Sequence, residues 1–137
     1  MEGKGKAVIL YDQILPNAAE DERDVLVQAE AVSKALTELG YKIVEVALTL
    51  NLNEAAQILR RLSPSFVFNL VESIRGRDRL LHLAPALLDA LGIPYTGATT
   101  EALFLTTNKL LAKRMLQEAR IATPPWITPT ESLERAP

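Results

Sequence analysis

The apolar and polar positions of the chain follow two periodicities in its first two thirds. Three short segments, residues 7–11, 42–48 and 65–71, are rich in β-branched or aromatic side chains and predict β-strands. Residues 7–11 and 65–71 are almost continuously apolar, which is typical of strands covered on both faces. Residues 42–48 alternate in part, which predicts a strand nearer a sheet edge.

Apolar side chains spaced three or four residues apart predict helices between these strands. The first helix ends at Gly40, a suitable C-cap glycine, and the second ends at Ser63 and Pro64. The third closes at Gly92 and contains Pro85, which must lie in its first turn or kink it because proline lacks a backbone donor. The three apolar stripes are Val25, Ala29, Val32, Leu36 and Leu39, then Ala55, Ile58, Leu59 and Leu62, then Leu80, Leu83, Ala84, Leu87, Leu88 and Leu91.

The order of these elements predicts the fold class. Strands alternate with helices, and a short strand is expected at residues 93–96, so we expect an α/β fold with right-handed crossovers. The expected sheet is open, parallel and Rossmann-like, with about four strands in the order 2-1-3-4 and helices on both faces. Residues 1–98 are expected to form this domain, and residues 99–137 a helical connector followed by the start of a truncated second domain.

Composition narrows the classes of protein. The chain has 137 residues, 48% of them hydrophobic, which suits a folded domain of ordinary size. Its 15 basic and 17 acidic residues nearly balance and give no sign of a nucleic-acid partner. Cysteine is absent, and no apolar run approaches the length of a membrane span. We expect a soluble, cytoplasmic protein without a membrane partner.

Two loops carry the candidate ligand-binding side chains. In open α/β sheets ligands bind beyond the carboxyl ends of the central strands, which here precede residues 12–22 and 72–79. Glu22 either stabilises the positive end of its helix or anchors a substrate ammonium group. The second loop contains Glu72, Arg75 and Arg77, and its guanidinium groups either recognise carboxylate or phosphate or form internal ion pairs in solvent.

Lys109 is the candidate for nucleotide binding. It follows Asn108, a plausible N-cap, and a lysine at a helix N-terminus is unfavourable unless an anion such as phosphate shares the site. The alternative is an exposed lysine at a frayed helix end. His82, the single histidine, has no metal cluster or catalytic partner nearby in sequence and is interpreted as a structural or helix-surface residue. No metal site is expected within the chain.

A longer set of residues resembles the D-alanine–D-alanine ligase-like ATP-grasp family, specifically its N-terminal domain plus the start of the central domain. The resemblance covers most of the chain and is strongest over about residues 66–125. Glu22-Arg23-Asp24-Val25 also resembles the family's Glu-Arg-Glu-Val helix start. The matching segments are Phe68-Asn69, Gly76, residues 85–97 with their turn Gly92-Ile93-Pro94-Tyr95-Thr96-Gly97, and Asn108-Lys109 through Thr123-Pro124.

The resemblance implies roles for the candidate residues. Glu22 would meet the amino group of an amino-acid-like first substrate, and Glu72 stands where the family has a histidine near that substrate. Apart from the resemblance, the chemistry of their guanidinium groups predicts that Arg75, Arg77 or Arg79 meets a carboxylate of the same ligand. Lys109 would be the first of two lysines that contact ATP. The family's glycine-serine loop is replaced by residues 13–19, and its Gly-Glu-Asp-Gly motif by residues 76–79, so the identity of the substrate stays open.

The resemblance also implies a function for a parent enzyme: an ATP-dependent carboxylate–amine ligase that uses ATP and Mg²⁺ and forms an acyl phosphate. The magnesium-binding acids and the second lysine would lie beyond residue 137, in a missing C-terminal ATP-grasp domain. We therefore expect no catalytic residue here, no bound cofactor and no ligase activity from this chain alone. A homodimer is among the expected partners. The alternative is a stand-alone, non-catalytic α/β binding or interaction module.

Overall fold

The computed structural model describes residues 4–14 and 20–127, except for the side chains of residues 20–22. Within these ranges the chain forms three strands and five α-helices. In chain order they are β1 Lys6–Asp12, α1 Glu20–Glu38, β2 Lys42–Leu48, α2 Leu52–Leu62, β3 Phe66–Asn69, α3 Leu83–Leu91, α4 Thr100–Thr107 and α5 Lys109–Glu118, with a 3₁₀ turn at Asp78–Leu80.

The strands form a parallel sheet in the order β2-β1-β3, which confirms the α/β class and places β2 at an edge. The predicted fourth strand is not confirmed. Residues 93–96 do run beside β3, where Val67 N–H donates to Pro94 O (2.8 Å) and Thr96 N–H donates to Val67 O (3.0 Å). This contact is an isolated parallel bridge between Val67 and Tyr95 and no more, and Pro94 has no N–H to extend it.

Helices cover both faces of the sheet, as predicted. Successive side chains of a strand point to opposite faces. Val8 and Leu10 of β1 therefore share one face, where they belong to a buried cluster with Leu59 of α2 and Leu88 of α3. α1 packs against β1 and β2. Because β1 lies between β2 and β3 and is covered on both faces, its residues from Ala7 to Leu10 are fully buried.

Helix boundaries differ from the predicted ones at two places. Leu39, which the sequence pattern assigns to the first apolar stripe, lies beyond the end of α1 and is exposed. The third helix begins at Leu83, and Leu80 belongs instead to the preceding 3₁₀ turn. Pro85 is the third residue of α3, within the first turn as predicted, where a missing N–H costs no helical hydrogen bond.

The last two helices are capped but not buried. The side chain of Thr99 accepts from Ala102 N–H at the start of α4, and that of Asn108 accepts from Leu111 N–H at the start of α5. Neither α4 nor α5 contains a buried residue. Among the described helices, none combines the length and apolar composition needed to cross a bilayer. The proposed domain boundary at residue 98 stays a prediction.

Candidate functional site

The candidate site lies where two neighbouring strands end. β1 ends at Asp12 and β3 at Asn69, and both strands run in the same direction, so both chains leave the sheet at one edge. The ladder between them finishes with Leu70 N–H donating to Leu10 O at 2.7 Å. Connections from this edge lead to α1 on one side and to residues 72–79 on the other. This arrangement is the reversal in strand order at which open α/β sheets bind ligands.

Asn69 turns the chain as it leaves β3. Its side-chain Oδ1 accepts from Val71 N–H at 3.2 Å, which is the geometry of an Asx-turn. Its backbone N–H donates to Thr96 Oγ1 at 3.1 Å. The turn therefore fixes the direction in which the loop starts, and Val71 and Ile74 anchor it in the core because both are buried.

Asp12 connects the end of β1 to this loop. Its Oδ1 accepts from Glu72 N–H at 3.4 Å, and its Oδ2 accepts from Ser73 Oγ–H at 3.2 Å. Only 9% of Asp12 is exposed, and among the described residues no other polar or charged residue is buried. A buried carboxylate is costly unless it is hydrogen-bonded, so these two contacts account for its position.

Glu72 lies beside α1. Its backbone is held by Asp12, its side chain is exposed, and its Oε1 accepts from Gln28 Nε2 of α1 at 3.4 Å. Glu22 belongs to the first turn of α1, but its side chain lies outside the described residues. The structure thus brings the residue 72–79 loop to the helix that carries Glu22, and the convergence of the two carboxylates stays a prediction.

Arg75 and Arg77 lie at a tight turn of the loop. Ile74 and Arg77 exchange two backbone hydrogen bonds of 3.2 Å across Arg75 and Gly76, whose φ angles of 55° and 69° are those of a type I′ turn. Both arginines are exposed, and neither guanidinium group has a partner among the described residues. The internal ion pairs considered for this loop are therefore absent from the described part of the chain.

Lys109 lies on a different element, at the start of α5. It is the first residue of α5, it is exposed, and α5 packs mainly on α4. Within the described residues its ammonium group has no hydrogen-bond partner. The same residues contain no group of three or more His, Cys, Asp or Glu side chains that could hold a metal ion. Lys109 therefore has no described polar contact with the loop that carries Glu72.

Two tyrosines, Tyr11 near the end of β1 and Tyr95 beside β3, have a pKa above the usual value for tyrosine. Burial first, and then the Glu45 carboxylate, raise the pKa of Tyr11, whose hydroxyl donates to Glu45 Oε2 at 3.4 Å. Burial first, and then Asp89 and Glu101, raise the pKa of Tyr95. Asp89 also accepts from Thr100 Oγ1 at 2.8 Å, so one carboxylate connects α3 to α4 beside Tyr95.

The polar residues that hold the loop of Glu72 in place were not among the predicted site residues. Asp12, Asn69 and Ser73 each follow or end a buried strand, so their sequence positions were a usable signal. Gln28 had no comparable signal, because it is one exposed amide among many polar positions of α1. His82 Nδ1 lies 2.9 Å from Arg79 O, and its ring packs edge-on against Phe104, which is consistent with the structural interpretation.

The fold defines an open parallel α/β protein whose strand order reverses at β1 and β3. Among proteins of that class, the chain is similar to D-alanine–D-alanine ligases, which confirms the resemblance seen in the sequence. It is 34% identical over 115 residues to the ligase of Moorella thermoacetica, and 34% identical over 116 residues to that of Aquifex aeolicus. No family model matches the chain.

The similarity covers much more of this chain than of its relatives. The two matches take in 83% and 84% of the chain but 35% and 38% of the respective ligases. The crystal structure of D-alanine–D-alanine ligase from Bacillus anthracis superposes with a TM-score of 0.68 at 18% identity, over 95% of this chain and 42% of that one. The chain therefore spans about a third of the length of the curated relatives it matches, and the superposition supports the shared fold.

Proposed function

We propose that this chain is the substrate-binding α/β portion of an ATP-dependent carboxylate–amine ligase resembling D-alanine–D-alanine ligase. The ligand is an amino-acid-like molecule held between the first turn of α1 and the loop of residues 72–79. Glu22 and Glu72 receive its ammonium group, while Arg75 or Arg77 meets its carboxylate. Residues 99–137 are a helical connector and the start of the ATP-grasp central domain, and the protein works in the cytoplasm.

One observation carries this proposal: the loop with Glu72 is attached to the end of β1 and touches α1. Asp12 holds its backbone, and Gln28 of α1 donates to the Glu72 carboxylate. A loop that carries one carboxylate and two guanidinium groups without partners in the described residues suits a ligand that carries both charges. The similarity to ligases at 34% identity supports the reaction class.

The described residues do not fit ATP and Mg²⁺ by themselves. They contain no cluster of metal-ligating side chains, and Lys109 is one exposed cation at a helix end. Phosphoryl chemistry needs metal ions and several cationic groups around the transferred phosphate. Lys109 is therefore proposed to contact ATP only together with groups from the ATP-grasp domain, and this chain alone is proposed to be inactive.

Ligand binding tests the proposal directly. Calorimetric titration of the purified chain with D-alanine, and with L-alanine and glycine as comparisons, measures affinity without requiring turnover. A charge-assisted hydrogen bond contributes about 1.5–3 kcal/mol, so Glu22→Gln should weaken binding about 10-fold or more. Glu30→Gln, an exposed change farther along the same helix, is the matched control and should leave binding unchanged.

Two results would contradict this proposal. Equal losses in both variants would mean that Glu22 acts through general charge or helix capping. No binding of any of the three amino acids would favour the alternative, a non-catalytic interaction module. A separate assay for ADP release should find no ATP turnover with D-alanine present, and sustained turnover would refute the inactivity of the chain.

A further inference from the structure

The backbone of Asp12 pairs with Leu48 in the β1–β2 ladder, but strand pairing does not explain why its carboxylate is buried. The β1–β3 ladder is complete without it, since its last registered pair is Leu10 with Asn69. Beyond that pair, the side chain of Asp12 is what joins the end of β1 to Glu72 and Ser73. Burying a carboxylate destabilises the folded state unless hydrogen bonds compensate for its lost hydration. An apolar side chain at this position would avoid that cost. The buried carboxylate of Asp12 is therefore expected to have a role other than packing in the core.

The two hydrogen bonds of Asp12 hold residues 72 and 73, and the side chain of Glu72 contacts α1. Glu72 follows buried Val71 and precedes buried Ile74 by two positions, so both sides of this short segment are fixed to the core. Its own N–H is held by Asp12 at 3.4 Å, and its carboxylate extends to Gln28 at 3.4 Å. Because the backbone of Glu72 is restrained on three sides, the direction in which its side chain leaves the backbone is fixed.

We infer that Asp12 is a positioning residue, which orients the Glu72 carboxylate toward α1 by holding the backbone of residues 72 and 73. The inference rests on the proposed function in so far as Glu72 binds an amino-acid ammonium group. Asp12 acts through geometry and not through its charge. The substitution Asp12→Asn would preserve that geometry, because an amide oxygen still accepts from Glu72 N–H and an amide NH₂ can donate to Ser73 Oγ.

Three variants distinguish a role of Asp12 in holding the loop backbone from a role of its negative charge. Asp12→Ala removes both contacts, Asp12→Asn keeps them without the charge, and Ser73→Ala removes one. Amide hydrogen exchange followed by NMR reports the hydrogen bond of Glu72 directly in the unliganded chain. A net hydrogen bond of about 1 kcal/mol predicts roughly 5–10-fold faster exchange at Glu72 in Asp12→Ala and near-normal exchange in Asp12→Asn.

Titration with D-alanine gives the second readout. Asp12→Ala should weaken binding by about the same factor, and Asp12→Asn should restore it to within about 3-fold of the parent chain. Ser73→Ala should fall between them, and it keeps the inference testable if Asp12→Ala does not fold. Unchanged exchange at Glu72 in Asp12→Ala or Ser73→Ala would overturn the inference, as would an Asp12→Asn variant that binds as weakly as Asp12→Ala.

The two readouts distinguish this inference from the proposed function. If the parent chain does not bind D-alanine while exchange at Glu72 still responds to Asp12→Ala, the substrate assignment fails and the positioning role stands. If the parent chain binds D-alanine and the three variants leave both readouts unchanged, the substrate assignment stands and the role of Asp12 falls.

Discussion

Leu88 and Leu110 are the same side chain on two helices of similar length, and their surroundings differ. Leu88 in α3 is fully buried against the sheet and α2, whereas Leu110 in α5 is 38% exposed. The difference extends to the regions around them. Every buried residue of the described chain lies at or before Leu88, and the helices after residue 98 contain none.

Apolar side chains in a helix become buried only where a second apolar surface packs against them. α4 and α5 pack on each other, and α4 also contacts α3, where the rings of Phe104 and His82 meet edge-on with centroids 5.3 Å apart. These are narrow contacts, because neither helix has a sheet to lie on. Large apolar side chains consequently remain exposed in this region, namely Phe104, Leu110, Met115, Ile121 and Ile127.

The largest expected difference is in local stability. Amides in the centre of a buried sheet exchange through global unfolding, whereas helices with few buried contacts open locally. We expect the amides of Ile9 and Leu10 to exchange at least ~100-fold more slowly than those of Leu116 and Gln117 at the same pH. Hydrogen exchange measured by NMR checks this, and equal protection in β1 and α5 would contradict the expected difference in local stability.

Matched truncations provide the second test. Leu88→Ala removes a fully buried side chain and should lower the free energy of unfolding by about 2–5 kcal/mol. Leu110→Ala removes an exposed one and should lower it by no more than about 1 kcal/mol. Urea denaturation followed by circular dichroism gives both values. A loss at Leu110 as large as that at Leu88 would mean that α5 belongs to the same cooperative core.

Self-association is the third test of the helical region. A group of exposed apolar side chains favours contact with another copy, so we expect the chain to form dimers at high concentration. Met115→Glu should shift the mass from light scattering toward the monomer. Val27→Glu, at a more exposed apolar position on α1, is the control and should leave association unchanged. A strict monomer, or equal effects of both changes, would contradict this prediction.

The smallest expected effect is a pH dependence. Tyr11 and Tyr95 both have a pKa above the usual 10.0, with burial as the first cause. A pKa that is higher in the folded state makes the neutral form favour folding, so this stabilisation is complete below about pH 10 and is lost as pH rises through the folded pKa. Urea midpoints for Tyr11→Phe and Tyr95→Phe should fall less steeply with pH in that alkaline range. Parallel slopes in the parent and both variants would exclude this contribution.

Much of the α/β region could be predicted because its signals are local. Apolar runs identified β1 and β3 as covered strands, partial alternation placed β2 at the edge, and Pro85 located the first turn of α3. The predicted fourth strand was not confirmed because its length depends on pairing with β3, and Pro94 limits that pairing to an isolated bridge.

The class of fold, the helix caps at Gly92 and Asn108 and the family resemblance could all be predicted from the sequence, since each depends on spacing along the chain. Tertiary structure decided which polar groups meet at the end of the sheet. Asp12 and Glu72 are 60 positions apart, and only the parallel pairing of β1 with β3 brings them within 3.4 Å. It also decided that Leu88 is buried and Leu110 exposed, because burial depends on whether a second apolar surface lies opposite, and hydrophobic spacing within one helix does not specify that surface.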